Sequence, residues 1–356
     1  MRIGLIAPPW VPVPPMGYGG TEAIVDLLAR GLVGAGHEVL LFTTGDATCP
    51  VPRRWVHDQP PAPMSEIVPE AVHVLCAYDA MEGVDLVHDH TTLGPLLAHR
   101  APAVPVVATN HGPFTEETRR IYAVASARAH IVAISECHAA SAGPDVDVAA
   151  VIPHGIDLDA YPMGTGDGDY VLFLGRMSPT KGAHLAIDAA QRAGMPIRLA
   201  AKCREEAEQR YFDEYIRPRL APGVDYLGEV VGDDKVALIG GARALVNPIQ
   251  WDEPFGLVMV EALACGTPVI ATPRGAARDI VDDGVVGFLR DGVSAFAEAI
   301  AHVEDLDRLT CRRQAEDRWS ANRMVRDHLR LYDTLLADGT VDLMAMRSSR
   351  RLPGGR

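Results

Sequence analysis

Several things are missing from this chain, and each absence narrows what it can be. None of its six cysteines (Cys49, Cys76, Cys137, Cys203, Cys265, Cys311) stands in a C-x-x-C pair or a metal-like cluster. A disulfide framework or zinc centre is therefore not expected, and small buried thiols in a reducing compartment are the ordinary reading. No apolar run approaches the roughly 20 residues of a membrane helix. The opening stretch Met1–Ile6 meets Pro8-Pro9 too soon to be the core of a signal peptide. Cations are in deficit, 33 Lys and Arg against 47 Asp and Glu, for a formal net charge of -14. Such a surface repels a phosphate backbone, so no nucleic-acid partner is expected. A cytoplasmic location follows, with membrane contact at most peripheral. There is no Walker-type G-x-x-x-x-G-K-[ST] string. The glycines after the first apolar run depart from the dinucleotide fingerprint, because Glu22 stands where the third glycine belongs.

What is present is a long, apolar, alternating chain. With 356 residues and 48% hydrophobic content, two domains can each bury a full core. Arg2–Ala7 reads as a buried strand, Thr21–Ala35 as an amphipathic helix, and His37–Thr43 as a strand. Near the middle the plan restarts with Tyr170–Leu174, a helix over Ala183–Ala193 and a strand over Ile197–Ala201. Further strands are read at Leu86–His88, Val106–Thr109, Ile131–Ile134, Ala244–Val246 and Val269–Ala271. Apolar strands alternating with helices predict parallel sheets covered on both faces, hence an α/β fold of two doubly wound Rossmann-like domains facing across a cleft. The expected divisions are a first domain over 1–160, a Gly/Asp-rich linker over 161–169, a second domain over 170–320, a C-terminal helix over 321–340 that can pack back on the first domain, and a disordered tail over 341–356 that includes Arg347–Arg356. The proline-rich stretch Ala47–Pro69 reads as a loose excursion.

In such sheets ligands bind beyond the carboxyl ends of the strands, and two stretches there carry chemistry. The first runs from Trp251 to Ile270 and reads as loop, helix, glycine stop and strand, with Pro254 suited to the first helical turn and Gly266 to the C′ position. Amides around Phe255, Gly256 and Leu257 would present free N–H groups to an anion. Glu253 and Glu261 would repel phosphate but suit hydroxyls, one on a transferred sugar and one on a ribose. The second stretch, Gly175-Arg176-Met177-Ser178-Pro179-Thr180-Lys181-Gly182, follows a buried strand; Arg176 and Lys181 can clamp a diphosphate there.

Together with Val151-Ile152-Pro153-His154-Gly155-Ile156-Asp157, these motifs resemble those of the retaining glycosyltransferase family 4, of GT-B architecture, over Met1 to about Leu289. The resemblance implies a hexosyltransferase using a nucleotide-diphosphate sugar as co-substrate, UDP favoured and GDP possible, with a hydroxyl acceptor that is a small molecule or a lipid. It implies no resident cofactor. Arg176 and Lys181 would hold the diphosphate and stabilise its departure, Glu261 the ribose, and Glu253 the sugar, with Phe255, Gly256 and Leu257 completing the grip and Val230 edging the nucleobase. The loop containing Tyr18, Gly19 and Gly20 would lie in the cleft by the diphosphate and acceptor. His111, ending a strand, would position donor sugar or acceptor. Asp89, His90 and Ser135, also at strand ends, are candidate acceptor contacts, and His154 reads as a hinge or packing residue rather than a catalyst. One departure is Ala200-Ala201-Lys202-Cys203, where the family commonly shows a glycine turn.

No carboxylate offers itself as a nucleophile, so metal-independent front-face substitution is the expected mechanism, the leaving diphosphate taking the acceptor's proton. The D-x-D strings fall in loops or exposed helix, so no metal site is expected. A nucleotide-sugar epimerase on the same scaffold, or a peripheral-membrane enzyme with a lipid acceptor, are the alternatives. Arg119, Arg120 and Arg128 could face lipid headgroups, although solvated charges explain them more simply.

Overall fold

The computed structural model describes residues 1–64, 66–101 and 104–338; the tail 341–356, expected to be disordered, lies outside them. The first sheet contains β1 (Arg2–Ile6), β2 (Glu38–Phe42), β3 (Arg53–Arg54), β4 (Leu86–Asp89), β5 (Val106–Thr109), β6 (His130–Ala133) and β7 (Val148–Val151). Their order is β3-β2-β1-β4-β5-β6-β7, with neighbours parallel. The second contains β8 (Val171–Arg176), β9 (Ile197–Lys202), β10 (Val224–Gly228), β11 (Leu245–Asn247), β12 (Val269–Ala271) and β13 (Gly287–Leu289), in the order β10-β9-β8-β11-β12-β13 and again parallel. Each order reverses direction once, between β1 and β4 and between β8 and β11. Those reversals open the two crevices in which α/β sheets bind ligands.

The strands form because their apolar residues have two faces to bury. Ile3, Leu5 and Ile6 in β1, and Val171, Leu172 and Phe173 in β8, are at most 1% exposed. Each such side chain stabilises its sheet by about 1.5–3 kcal/mol. Helices cover both faces. The helix Gly20–Gly34 lies on the first sheet, and the C-terminal helix Ala321–Asp338 lies against it. Gly31 permits that approach, since a Cβ there would sit 2.4 Å from Val325 Cγ2. Met324, Val325 and Tyr332 thereby join the first sheet's core, so the last helix belongs physically to the first half.

Three features differ from the sequence reading. The stretch Ala47–Pro69 is not wholly loose: it supplies the edge strand β3, and the helix Ile67–Ala80 begins within it. The strands β7, β10 and β13, all at sheet edges, are additions to that reading; β7 is apolar in sequence (Val148-Ala149-Ala150-Val151) but only half-buried. For its part, β10 exposes Asp225 and Leu227. The glycine-rich segment after Tyr161 is fastened to the second half: Gly164, Gly166 and Gly168 donate their amides to Cys265, Gly240 and Gly241 carbonyls at 2.9–3.0 Å.

Candidate active site

At the end of β8 the chain turns through a short 3-10 segment, Pro179–Lys181. Gly182 follows with φ 73°, its missing Cβ leaving room for the Pro248 carbonyl. This turn brings Lys181, 8% exposed, into an ion pair with Glu253. Parallel register sets Arg176 beside Lys202, and both approach Glu208, at 3.8 and 3.3 Å. Glu208 is itself buried, fixed by the Arg204 and Glu205 amides. Arg176 keeps 43% of its side chain exposed, so its guanidinium has freedom to reach an anion.

Glu253 lies in a loop clasped by Gly275, where a Cβ would stand 2.3 Å from the Glu253 carbonyl oxygen. The helix after it begins at Leu257, with Gly256 as N-cap at φ 96°. Pro254 therefore precedes the helix instead of opening its first turn; Gly256 in a left-handed conformation is what redirects the chain. Gly266 does occupy C′, at φ 69°. Glu261 is buried on this helix. Its Oε1 accepts from Tyr161 Oη at 2.8 Å and Lys235 Nζ at 2.7 Å. The Oε2 atoms of Glu253 and Glu261 are both buried without a hydrogen-bond partner among the described residues. A buried carboxylate oxygen left this way costs a few kcal/mol, which a hydroxyl donor relieves and a phosphate does not.

Facing this wall is the loop between β1 and the helix Gly20–Gly34. Tyr18 donates its amide to Glu229 Oε1 at 3.0 Å, while its ring lies beneath Lys202 Nζ at 5.4 Å. Glu229 also pairs with Arg204 at 2.6 Å. Gly20 comes so close to the second half that a Cβ would meet Leu257 Cδ1 at 3.3 Å. Ser135 caps the helix Glu136–Ser141, accepting from the His138 amide, and donates its hydroxyl to the Pro254 carbonyl at 2.7 Å. Both crevices thus meet in one closed cleft. Val230 sits behind it, packed against the second half's core.

On the first half a cavity of about 360 Å³ opens beyond β1, β4 and β5, lined by Pro8, Trp10, Thr21, His90, His111 and Thr118 among others. Asp89 does not reach it. It is fully buried, Oδ1 taken by the Thr91 amide and hydroxyl and Oδ2 by Tyr78. It braces the loop after β4, and burial raises its carboxyl to about 7. Glu22, at the buried start of the glycine-loop helix, is likewise raised by burial to about 7. His90 and His111 do line the cavity, hydrogen-bonded to each other, and His111 is also bonded to His154. His154, read as a hinge or packing residue, is buried and makes this one side-chain hydrogen bond among the described residues. Its partnership with His111 spans residues 43 apart in sequence and has no local signature; the same holds for Tyr161, Lys235 and Glu208 around the carboxylates and cations of the second half. Among the described residues, no group of three or more His, Cys, Asp or Glu side chains is placed to hold a metal ion.

Two parallel α/β halves closed over paired carboxylates and cations define a sugar-transferring enzyme of GT-B architecture. Residues 18–160 match the family described as Glycosyltransferase Family 4, and residues 164–322 match Glycosyl transferases group 1. The chain belongs to this two-part glycosyltransferase family. Its relatives include YtcC of Bacillus subtilis (strain 168), named as a glycosyltransferase and 32% identical over 43% of this chain and 45% of that one. A phosphatidyl-myo-inositol mannosyltransferase of Mycobacterium leprae (strain TN) is 28% identical over 96% of this chain and 98% of its own. Among solved structures, AviGT4, a glycosyltransferase involved in avilamycin A biosynthesis, superposes with a TM-score of 0.71 at 28% identity over 95% of this chain and 98% of its own. Anabaena HepE in complex with UDP-glucose shares the fold, with a TM-score of 0.76 at 21% identity over 94% and 100%.

Proposed function

We propose that the enzyme transfers a hexose from a UDP-sugar to a hydroxyl acceptor with retention, by front-face substitution without a metal. The observation that carries this reading is the pair of buried, unpartnered carboxylate oxygens on Glu253 and Glu261, which flank the start of one helix and whose other oxygens pair with Lys181 and Lys235. Lys181 and Arg176 hold the diphosphate, together with amides around Phe255, Gly256 and Leu257, and Glu261 takes the ribose. Glu253 takes the transferred sugar, Val230 edges the base, and Gly19 and Gly20 let the loop approach the phosphates. In this reading residues 1–160 form the acceptor-side domain and 170–320 the donor domain, with 161–169 between them. The leaving diphosphate removes the acceptor's proton as the new bond forms, so the protein stabilises charge and orients reactants rather than supplying a base. UDP is favoured over GDP because HepE, of the same fold, is described with UDP-glucose.

Specific binding to the folded state raises stability by mass action. UDP at 100 times its Kd is expected to add about 2.7 kcal/mol, seen as a rise in Tm that EDTA leaves unchanged and that Arg176→Ala and Glu261→Ala abolish. GDP, dTDP and ADP are the controls. No rise with any diphosphate, or a rise indifferent to both substitutions, refutes the donor site; a rise lost with EDTA refutes metal independence.

A second reading, a lipid acceptor met at a membrane surface, has one favouring observation. Ile67 and Val68 on the helix Ile67–Ala80 are 73% and 71% exposed, and Glu70 of that helix lines the acceptor-side cavity. The mycobacterial relative is named for a phosphatidyl-inositol substrate. Of the arginines considered for headgroups, Arg119 binds the Ser141 carbonyl and Arg120 pairs with Glu116. If the helix inserts, Ile67→Ser/Val68→Ser lowers co-sedimentation with phosphatidylcholine–phosphatidylglycerol vesicles by about tenfold or more, since two buried aliphatic side chains are worth a few kcal/mol. Wild-type protein that stays in the supernatant retires this reading.

A further inference from the structure

Three imidazoles run in single file behind the acceptor-side cavity. His90 Nδ1 lies 2.9 Å from His111 Nε2, and His111 Nδ1 lies 3.2 Å from His154 Nε2. Both nitrogens of His111 are therefore engaged by other histidines. The next nitrogen along, His90 Nε2, is buried with no hydrogen-bond partner among the described residues, on a ring that is 4% exposed and lines the cavity. The other end abuts the donor wall, where the His154 ring meets Phe255 edge-on at 5.1 Å between centroids.

We propose that His90, through Nε2, is the imidazole that binds the acceptor hydroxyl, and that His111 and His154 are positioning residues that fix its orientation and tautomer. This rests on the glycosyltransfer reading above and assigns the acceptor contact within it.

Proton counting explains why a hydroxyl is the fitting partner. Three neutral imidazoles carry three ring protons, and the two hydrogen bonds between them use one each. If His90 donates to His111 and His111 to His154, His90 Nε2 presents a lone pair. If both bonds run the other way, His90 Nε2 presents an N–H. The two arrangements interconvert only if all three rings change tautomer together. A hydroxyl both donates and accepts, so it satisfies either one; a phosphate oxygen meets only the N–H form and an ammonium only the lone pair. The rings stay neutral because burial, followed by neighbouring histidines, pushes all three well down, His111 to about 3. Around the file stand His88, its ring tilted 37° against His90 at 4.1 Å between centroids and pinned by Tyr332 and Thr109, then His328, His138 and Arg323. None of these is bonded to His90 Nε2.

The test uses full-length protein labelled with ¹⁵N-histidine. Ring nitrogens are assigned from His90→Ala, His111→Ala and His154→Ala spectra. In ligand-free protein, His111→Ala is expected to shift a nitrogen of both His90 and His154, which reads the file independently of any donor. Methyl β-D-glucopyranoside, titrated with UDP present, is the hydroxyl probe. The expected result is a shift at His90 Nε2 with the His111 nitrogens following only slightly. His154→Gln, whose amide can stand at the Nε2 position, retains the response, and His154→Ala weakens the probe's apparent affinity by about threefold or more. A glycoside-induced shift centred on His111, no shift at either ring, or equal responses in His154→Ala and wild type overturns the proposal. Failure of the donor reading is separate: it shows as absence of UDP stabilisation in the same wild-type sample before glycoside is added.

Discussion

Lys181→Met is expected to lower kcat/KM for the proposed nucleotide-sugar donor by about 10²–10³-fold, the scale of removing one preorganised stabiliser of developing negative charge. The substitution has a second effect that must be separated from the first. Lys181 and Glu253 form a largely buried pair, with side chains 10% and 14% exposed. Removing one member of such a pair strands the other charge and typically costs about 3–5 kcal/mol of stability. The double variant Lys181→Met/Glu253→Gln removes both charges, so it is expected to recover much of the single variant's loss in Tm. Its activity should stay low if, as proposed, Lys181 is the cation on the diphosphate and Glu253 the carboxylate on the sugar. Arg176→Lys is the complementary probe: Arg176 is only loosely held by Glu208 at 3.8 Å, so a point charge in place of the fork should preserve stability and reduce turnover. Full activity in the double variant would mean that Lys181 serves only to hold Glu253, and the assigned phosphate role would be wrong.

A large effect of acidity on folding is expected as well. Burial depresses His73, His138 and His328 to about 4 and His111 to about 3, and holds His88, His90 and His154 well below their usual value. In the unfolded chain all of these protonate near 6.5. Below that pH the unfolded state binds more protons, so stability present above 6.5 is lost progressively as pH falls towards the folded values. At pH 5 each ring depressed to about 3–4 costs about 2 kcal/mol, and His88, His90 and His154 act in the same direction. Glu22 and Asp89 act in the opposite sense: raised to about 7, each favours the folded state fully below its unfolded value and loses that contribution as pH rises through 7. Seven rings outweigh two carboxyls, so a net loss of several kcal/mol is expected between pH 7 and 5, a large part of the 5–15 kcal/mol that holds a typical domain. Scanning calorimetry should show Tm falling steeply across that interval. A flat profile, or a maximum near pH 5, would show that the histidines are hydrated or already charged.

Much of this architecture was legible because buried parallel strands must be apolar throughout. Val106–Thr109 and Val269–Ala271 were readable to the residue, as was the helix Ala183–Ala193. The edge strands β7, β10 and β13 were not: β10 mixes Asp225 into its run, and β7 and β13 are apolar stretches of only four and three residues, too short to tell from a packed loop. Glu253, Glu261, Arg176 and Lys181 fall in two short motifs that stand out by spacing; the side chains that support them do not. Tyr161 and Glu261 are 100 residues apart, and Lys235 and Glu261 are 26 apart. Asp89 shows the converse limit: ending a strand suggested a cleft contact, but whether a side chain turns outward or is consumed by Thr91 and Tyr78 depends on neighbours that the linear order does not name.

The two places where the chain passes between its halves touch. Ile156 donates its amide to the Trp319 carbonyl and accepts from the Ala321 amide, and a Cβ on Gly155 would come within 2.5 Å of the Ser320 carbonyl oxygen. Two covalent tethers pinned at one point act as a door on a single post. The lobes can swing apart without stretching either tether, and displacement grows with distance from that post. Contacts on the far rim, such as Tyr18 with Glu229, would then break early and travel far during product release, while His154, one residue from the crossing, hardly moves.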